Sequence, residues 1–123
     1  MPRVTHFEIA GENPEKLADF YKTVFGWNIT KWDGPIPYWN IVTGKSNEPG
    51  IDGGMIKKQA ASHKEVVNTI NVPSVDLFLK KIKEKNGKIL MPKKPVPGVG
   101  WLAYFKDPEG NVFGIIEEDK NAS

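Results

Sequence analysis

The sequence of 123 residues contains no cysteine, and this absence excludes several classes of protein. Without cysteine there are no disulfide bonds, no thiolate zinc sites and no cysteine nucleophile. No apolar run approaches the ~20 residues that a membrane-spanning helix requires, and the N-terminal stretch lacks the apolar centre of a signal peptide. These absences predict a cytoplasmic protein that has no membrane partner.

The sequence also has little net charge, with a formal value of +2. This excess is carried mainly by Lys80, Lys81, Lys83, Lys85 and Lys88. Lysines at this helical spacing are typical of a solvated helix face rather than of a nucleic-acid-binding surface. We therefore expect no nucleic-acid partner. The length predicts a single domain, residues 1–123, with its own core.

The clearest structural signal in the sequence is the C-terminal stretch 98–118. Residues 101–105 and 112–116 are apolar, and residues 107–110, with the sequence DPEG, have the composition of a turn. This pattern predicts a hairpin with a loop of four residues. Because its arms carry almost no charge before Glu117, we expect both faces of the hairpin to be covered.

Two helices are predicted by capping residues and by apolar residues that recur with a helical period. The first begins after the N-cap Asn13, has Pro14 at its first position, and ends at Gly26. The second begins after the N-cap Ser74 and ends at residues 86–87, Asn-Gly.

Strands are predicted from β-branched and aromatic runs, in addition to the two arms of the hairpin. They cover residues 4–10, 27–32, 38–43, 50–56, 66–72 and 88–91. The stretch 92–98 carries three prolines, so we expect either an irregular excursion or a sheet edge there.

This order of elements occurs twice, with an offset of 60 to 62 residues between the copies. The matching pairs are two N-caps, two glycines and two tryptophans: Asn13 and Ser74, Gly54 and Gly114, Trp39 and Trp101. The repeat predicts an α+β fold with two tandem βαβββ modules, residues 1–60 and 61–123, in a curved mixed eight-stranded sheet. Each module contributes one helix on the same side of that sheet.

Several segments resemble the vicinal oxygen chelate superfamily, specifically its glyoxalase and bleomycin-resistance-like branch, which is related to lactoylglutathione lyase. They are HFEI (6–9), NPEKLADFYKTVFGW (13–27), VPSVDLFLKKIKEKNGK (72–88), PGVGW (97–101) and KDPEGNVFGIIE (106–117). The resemblance implies two βαβββ modules around a concave cavity, commonly a homodimer, and a metal in the enzymes of the family. It implies no single reaction, because the superfamily includes isomerases, dioxygenases, epimerases, thiol transferases and drug-sequestering proteins.

Metal-dependent members of the superfamily are similar in placing ligands at four repeat-related positions. These positions fall on His6, Gly54, Val67 and Gly114, with Asn68 in place of Val67 if the strand is slipped by one residue. Only His6 is a usual ligand, whereas a divalent ion needs at least three protein ligands or a cage of oxygens. We therefore expect neither a catalytic metal nor another cofactor. One alternative stays open, in which Asp52 or Glu117 reaches inward and rebuilds part of the site.

The candidate ligand-binding residues are the side chains expected to line the cavity and the two glycines expected to enlarge it. They are His6, Glu8, Trp39, Gly54, Thr69, Trp101 and Gly114. His6 and Glu8 share a strand face and are also the candidate catalytic residues, whereas Phe7 and Ile9 are expected to face the helices. The two tryptophans are expected to form flat walls, with a place in the core or a dimer interface as the alternative. His63 is expected in a solvated crossover.

Three functions remain open at this stage. The preferred hypothesis is a homodimer that binds a small organic molecule in the cavity without a catalytic metal. The second is an enzyme that uses His6 and Glu8 as acid and base, or a metal-dependent lyase, isomerase or dioxygenase with unexpected ligands. The third is an accessory module with a vestigial pocket.

Overall fold

A computed structural model describes residues 2–58 and 66–123, and His63 lies outside the described residues. The chain divides into two compact units. We call the unit of residues 6–67 module one, and the unit of residues 1–5 and 68–123 module two. Each strand is assigned to the unit that contains most of its residues.

Module one is a mixed sheet of four strands with one helix. Its elements are β1 (Arg3–Gly11), α1 (Pro14–Phe25), β2 (Asn28–Lys31), β3 (Tyr38–Val42) and β4 (Asp52–Lys57). The strand order is β2-β3-β4-β1. β1 and β4 are parallel, and the other neighbouring strands are antiparallel.

Module two repeats this arrangement. Its elements are β5 (Val67–Asn71), α2 (Val75–Glu84), β6 (Lys88–Val96), β7 (Gly100–Lys106) and β8 (Val112–Glu118). The strand order is β5-β8-β7-β6, in which only β5 and β8 are parallel. The predicted α+β fold of two tandem βαβββ modules is therefore confirmed.

The capping residues position both helices as predicted. The Asn13 side chain accepts a hydrogen bond from the Lys16 backbone N–H, and Gly26 ends α1 in the left-handed conformation with φ of 71°. The Ser74 hydroxyl accepts from the backbone N–H of Leu77 at 3.1 Å. Beyond α2, Asn86 takes a left-handed conformation with φ of 69°. Local side-chain chemistry thus sets where each helix begins and ends.

Each helix covers one face of its own sheet. In module one, the buried residues of this layer are Ile9, Ala18, Ile29, Ile41 and Met55. In module two they are Val72, Val75, Ala103 and Ile115. Phe7 also packs on the first cluster, so the prediction that Phe7 and Ile9 face a helix is confirmed. We call the other sheet face of each module, which turns away from its helix, the far face.

β6 is longer than predicted and includes Pro92 and Pro95. It lies at the end of the strand order of module two, where a missing backbone N–H costs no ladder hydrogen bond on the outer side. Its pairing with β7 shifts register on either side of Met91. Of the two alternatives for the proline-rich stretch, the sheet edge is therefore correct. No helix in the described part of the chain is long and apolar enough to cross a membrane.

Candidate ligand-binding site

The alternation of side chains along each strand assigns the residues of module one to its two faces. Ile41 on β3 is buried in the cluster beneath α1, so its neighbours of opposite parity, Tyr38 and Asn40, lie on the far face. His6 and Glu8 of β1 lie on the same far face, because Phe7 and Ile9 between and beyond them contact the helix side. The structure thus brings His6, Glu8 and Tyr38 onto one face.

The centre of this face is a hydrogen bond between two side chains from different strands. The Nε2 atom of His6 lies 3.0 Å from the hydroxyl oxygen of Tyr38, and both residues are half-buried. Gly54 is paired with Glu8 in the sheet register and lies directly under the Tyr38 ring. A Cβ atom added to Gly54 would overlap with the Tyr38 hydroxyl and ring. Tyr38 therefore occupies the space that a side chain at position 54 would need.

Both members of this pair are uncharged near neutral pH. Burial lowers the pKa of the His6 imidazole from its usual value, while the negative charge of Asp52 acts in the opposite direction. Burial, together with the charge of Glu8, raises the pKa of the Tyr38 hydroxyl far above its usual value. A neutral imidazole and a phenol can each donate or accept, and the tautomer of His6 decides which does so. The pair can thus offer a ligand either a donor or an acceptor.

An aromatic side chain flanks the pair. The backbone N–H of Trp32, which follows β2, donates to the Tyr38 carbonyl at 2.7 Å. The Trp32 ring meets the Tyr38 ring edge to face, with centroids 6.0 Å apart and an angle of 81° between the planes. It is half-buried and lies over the backbone of Gly34, which has no side chain to displace it. Trp32 and Tyr38 thus form an apolar wall beside the polar pair.

The two carboxylates that could have rebuilt a metal site are used elsewhere. Asp52 accepts from the backbone N–H of Thr43 at 2.9 Å and so closes the base of the connection between β3 and β4. Glu117 accepts from the backbone N–H of Val75 at 2.9 Å, at the first turn of α2 on the helix side of module two. The alternative in which Glu117 reaches inward is therefore wrong, and the Asp52 carboxylate is engaged by the loop.

The four family ligand positions do not fit a metal ion. Tyr38 fills the space at Gly54, and Val67 is buried and has no donor atom. Within residues 2–58 and 66–123, no three or more histidine, aspartate or glutamate side chains form a group that could hold a metal ion. The His6 imidazole is therefore the metal-donor side chain at these four positions, and it is already hydrogen-bonded to the Tyr38 hydroxyl.

Module two fills the equivalent space in a related way. Thr69 and Tyr104 both pair with Gly114 in the sheet and both are buried. A Cβ added to Gly114 would lie 3.1 Å from Cε1 of Tyr104 and 3.2 Å from Oγ1 of Thr69. We expected Gly54 and Gly114 to enlarge a cavity, and this expectation is wrong because a tyrosine ring occupies the space at each of them.

The two tryptophans expected to form the walls lie on the wrong face for that role. Trp39 packs against the cluster beneath α1, and Lys31 Nζ lies 5.8 Å from its ring centroid. Trp101 packs against the cluster beneath α2, and its indole N–H donates to Asp119 at 3.1 Å. The predicted placement beside His6 is therefore wrong for both, and the alternative, a place in the core, is correct.

The assumed repeat relation between the two tryptophans is also wrong. Trp39 pairs with Met55, whereas Trp101 pairs with Glu117. Because β4 and β8 are related by an offset of 60 residues, the mate of Met55 is Ile115, and the partner of Ile115 is Ala103. Trp39 and Trp101 therefore do not occupy equivalent positions.

Sequence reasoning missed Tyr38 and Trp32, although one signal for Tyr38 was present. Trp39 and Ile41 are apolar residues two apart, and taking both as core residues places Tyr38 on the face of His6. Tyr38 covers Gly54 because β3 pairs with β4 in one particular register. The local sequence pattern carries no signal for that register. Whether His6, Glu8, Thr69 and the glycines bind a ligand stays a prediction.

Comparisons with known proteins agree on the kind of fold. A family model described as the Glyoxalase/Bleomycin resistance protein/Dioxygenase superfamily matches residues 3–115. The comparison with curated proteins finds no match.

Solved structures similar to the chain include two epimerases and a hypothetical protein. A methylmalonyl-CoA epimerase from Streptomyces coelicolor, in complex with 2-nitronate-propionyl-CoA, is 14% identical with a TM-score of 0.71, covering 100% of this chain and 99% of that one. The methylmalonyl-CoA epimerase from Mycobacterium tuberculosis is 10% identical with a TM-score of 0.71, covering 94% and 87%. A hypothetical protein from Bacillus halodurans C-125 is 15% identical with a TM-score of 0.69, covering 98% and 97%. Identities this low show the fold alone.

Proposed function

Because the chain belongs to the glyoxalase/bleomycin resistance protein/dioxygenase superfamily, we propose that it binds a small organic molecule against the far face of module one, without a catalytic metal. One observation carries this proposal. The Tyr38 hydroxyl occupies the space above Gly54 and is hydrogen-bonded to His6, so a neutral pair stands where metal enzymes of the family have ligands.

The chemistry of the far face supports an organic ligand. Small-molecule sites are mostly apolar and contain a few polar groups that fix the orientation of the ligand. The Trp32 and Tyr38 rings supply an apolar wall, and the His6–Tyr38 pair and Glu8 supply polar atoms beside it. A phenol and an imidazole that are both neutral cost less to desolvate than charged groups do. They can therefore exchange bound water for a ligand at a modest cost.

The assembly and the chemistry at this site belong to the same proposal. We propose that the protein is a homodimer, as the resemblance implies. The catalytic use of His6 and Glu8 stays a prediction, and no observation favours a lyase, isomerase or dioxygenase reaction over binding alone.

A thermal-shift screen with a library of small organic molecules tests the proposal. A molecule that binds only the native state at 100 times its Kd stabilises it by about 2.7 kcal/mol, which raises the melting temperature by several degrees. We expect hits with the wild-type protein that are weakened in His6→Gln and Tyr38→Phe. They should persist in Glu15→Gln, a control on α1 that removes a charge from the helix side.

Two results would contradict the proposal. One is a set of hits whose shifts are equal in wild type, His6→Gln and Tyr38→Phe. The other is elemental analysis that finds one divalent metal per chain, lost in His6→Ala, because the site would then hold a metal after all.

A further inference from the structure

The turn that follows α2 contains a dipeptide that can react with itself. Asn86 is the only asparagine in the sequence that a glycine follows. The side-chain amide of an asparagine can be attacked by the backbone nitrogen of the next residue, and glycine hinders this attack least because it has no side chain. Asn86 is exposed and Gly87 is half-buried. The sequence alone therefore predicts spontaneous deamidation at Asn86.

Deamidation needs water and no other reactant. The Gly87 nitrogen loses its proton and bonds to Cγ of Asn86, the bond from Cγ to the side-chain nitrogen breaks, and ammonia leaves with that proton. Water then opens the cyclic imide at one of its two carbonyl carbons, and no group is oxidised or reduced. The product is aspartate, or isoaspartate, in which the backbone runs through the former side chain. The first step therefore depends on the freedom of the Gly87 nitrogen.

The structure engages this nitrogen in a hydrogen bond. The Gly87 N–H donates to the Ile82 carbonyl at 2.8 Å, and the Asn86 N–H donates to the Lys83 carbonyl at 3.2 Å. Both bonds satisfy carbonyl groups at the end of α2, where the helix itself supplies no further donors. The left-handed conformation of Asn86, with φ of 69°, turns the Gly87 N–H back towards the helix. The attacking atom is thus bonded elsewhere in the folded chain.

Packing also holds Gly87 in place. A Cβ added to it would lie 2.5 Å from Cγ2 of Ile82 and 3.1 Å from the carbonyl oxygen of Lys106 on β7. Ile82 in turn packs on the buried cluster of module two. The Gly87 backbone therefore lies tightly between the end of α2 and β7, and it cannot approach the Asn86 side chain unless this end of the helix opens.

We propose that Asn86 is a deamidation site that the C-terminal turn of α2 keeps closed, so that the reaction proceeds in molecules where this turn has opened. The inference is independent of the proposed function. Isoaspartate would add one atom to the backbone between the end of α2 and Lys88, which is paired with Lys106 in the sheet. The Gly87 N–H could then no longer reach the Ile82 carbonyl, so a molecule that has reacted to isoaspartate cannot close the turn again.

Peptide mapping by mass spectrometry measures the conversion of residue 86, with a synthetic peptide of residues 82–90 as the unfolded reference. We expect the folded chain to react ~10- to 100-fold more slowly than the peptide, because two hydrogen bonds must break first. The Gly87 amide hydrogen should exchange with deuterated solvent more slowly by a similar factor, since the same opening exposes it. Asn86→Gly keeps the left-handed turn without a side-chain amide and should show no conversion.

Two variants of α2 test the role of its C-terminal turn. Ile82→Ala removes the side chain that packs on Gly87, and we expect it to speed both deamidation and amide exchange by ~5-fold or more. Ser74→Ala weakens the opposite end of the same helix and should leave both rates within about twofold of wild type. If Ile82→Ala does not fold, the comparison of the wild-type chain with the peptide decides alone.

Several outcomes overturn the inference. If the folded chain deamidates as fast as the peptide, or if the Gly87 amide exchanges at the peptide rate, the turn does not protect the site. If Ile82→Ala and Ser74→Ala change the rate equally, the protection comes from the stability of the whole module and not from this turn. A peptide that does not convert would show that the dipeptide is not reactive, which also overturns the inference.

Discussion

The packing of Tyr38 over Gly54 predicts that an alanine at position 54 is far more damaging than a methyl group ordinarily is. The added Cβ would overlap with the Tyr38 hydroxyl and ring, so the ring must move. Gly54 is not among the glycines with a positive φ, and alanine can adopt its backbone conformation without strain. The loss of stability in this variant therefore comes from the overlap with Tyr38 and from its consequences for the Tyr38 contacts, and backbone strain does not contribute.

The expected size of the effect follows from two contributions. Forcing a methyl group into a filled space costs about 1–3 kcal/mol. Displacing the Tyr38 hydroxyl from His6 costs about 1 kcal/mol more, because a half-buried hydrogen bond of 3.0 Å is lost. We therefore expect Gly54→Ala to lower the free energy of unfolding by about 2–4 kcal/mol.

Urea unfolding followed by tryptophan fluorescence measures this free energy. In a Tyr38→Ala background the clash is gone, so we expect Gly54→Ala to cost under about 1 kcal/mol there, with a coupling of about 1–3 kcal/mol between the two positions. The matched control is Gly114→Ala, whose Cβ would lie 3.1 Å from Tyr104 and needs only a small adjustment. Restricting the unfolded chain offsets part of that cost, so the control should stay within about 1 kcal/mol of wild type.

The reasoning is refuted if Gly54→Ala is as stable as wild type. It is equally refuted if the cost is the same with and without the Tyr38 ring, because the loss would then come from something other than the overlap.

Four further predictions follow from other features. Burial lowers the pKa of His6 in the folded state, so the unfolded state binds more protons as the pH falls through ~6.5, and the free energy of unfolding should decrease there. In urea titrations between pH 7.5 and 5.5, His6→Gln should lack this decrease. Met55 is 0% exposed, so Met55→Ala should cost about 2–5 kcal/mol in the same assay. Treatment with a chelator should leave the melting temperature unchanged, and a fall of several degrees would point to a structural metal. Light scattering should give a mass about twice that of one 13.8 kDa chain, and a monomer at high micromolar concentration would count against the dimer.

The parts of the fold that the sequence predicts well are those set by local chemistry. The bounds of α1 are as predicted because Asn13, Pro14 and Gly26 act through backbone groups within a turn of themselves. The end of β6 was missed because an edge strand tolerates prolines, and only the strand order shows where the edge is.

The candidate site was only partly predictable for a related reason. The shared face of His6 and Glu8 follows from strand periodicity alone. The role of Tyr38 depends on its contact with His6, a residue 32 positions away, and on the lack of a side chain at Gly54. Such a contact needs the register of two strand pairs, and a single sequence specifies register weakly.

The two tyrosines that cover Gly54 and Gly114 reach the same kind of space by different routes. Tyr38 pairs with Ile56, whereas Tyr104 pairs with Gly114 itself, so the two rings project from positions that the repeat does not relate. Each ring packs against the glycine of its own module. Repeat symmetry therefore cannot be used to transfer the effect of a substitution from one tyrosine to the other, and each glycine–tyrosine contact has to be measured by itself.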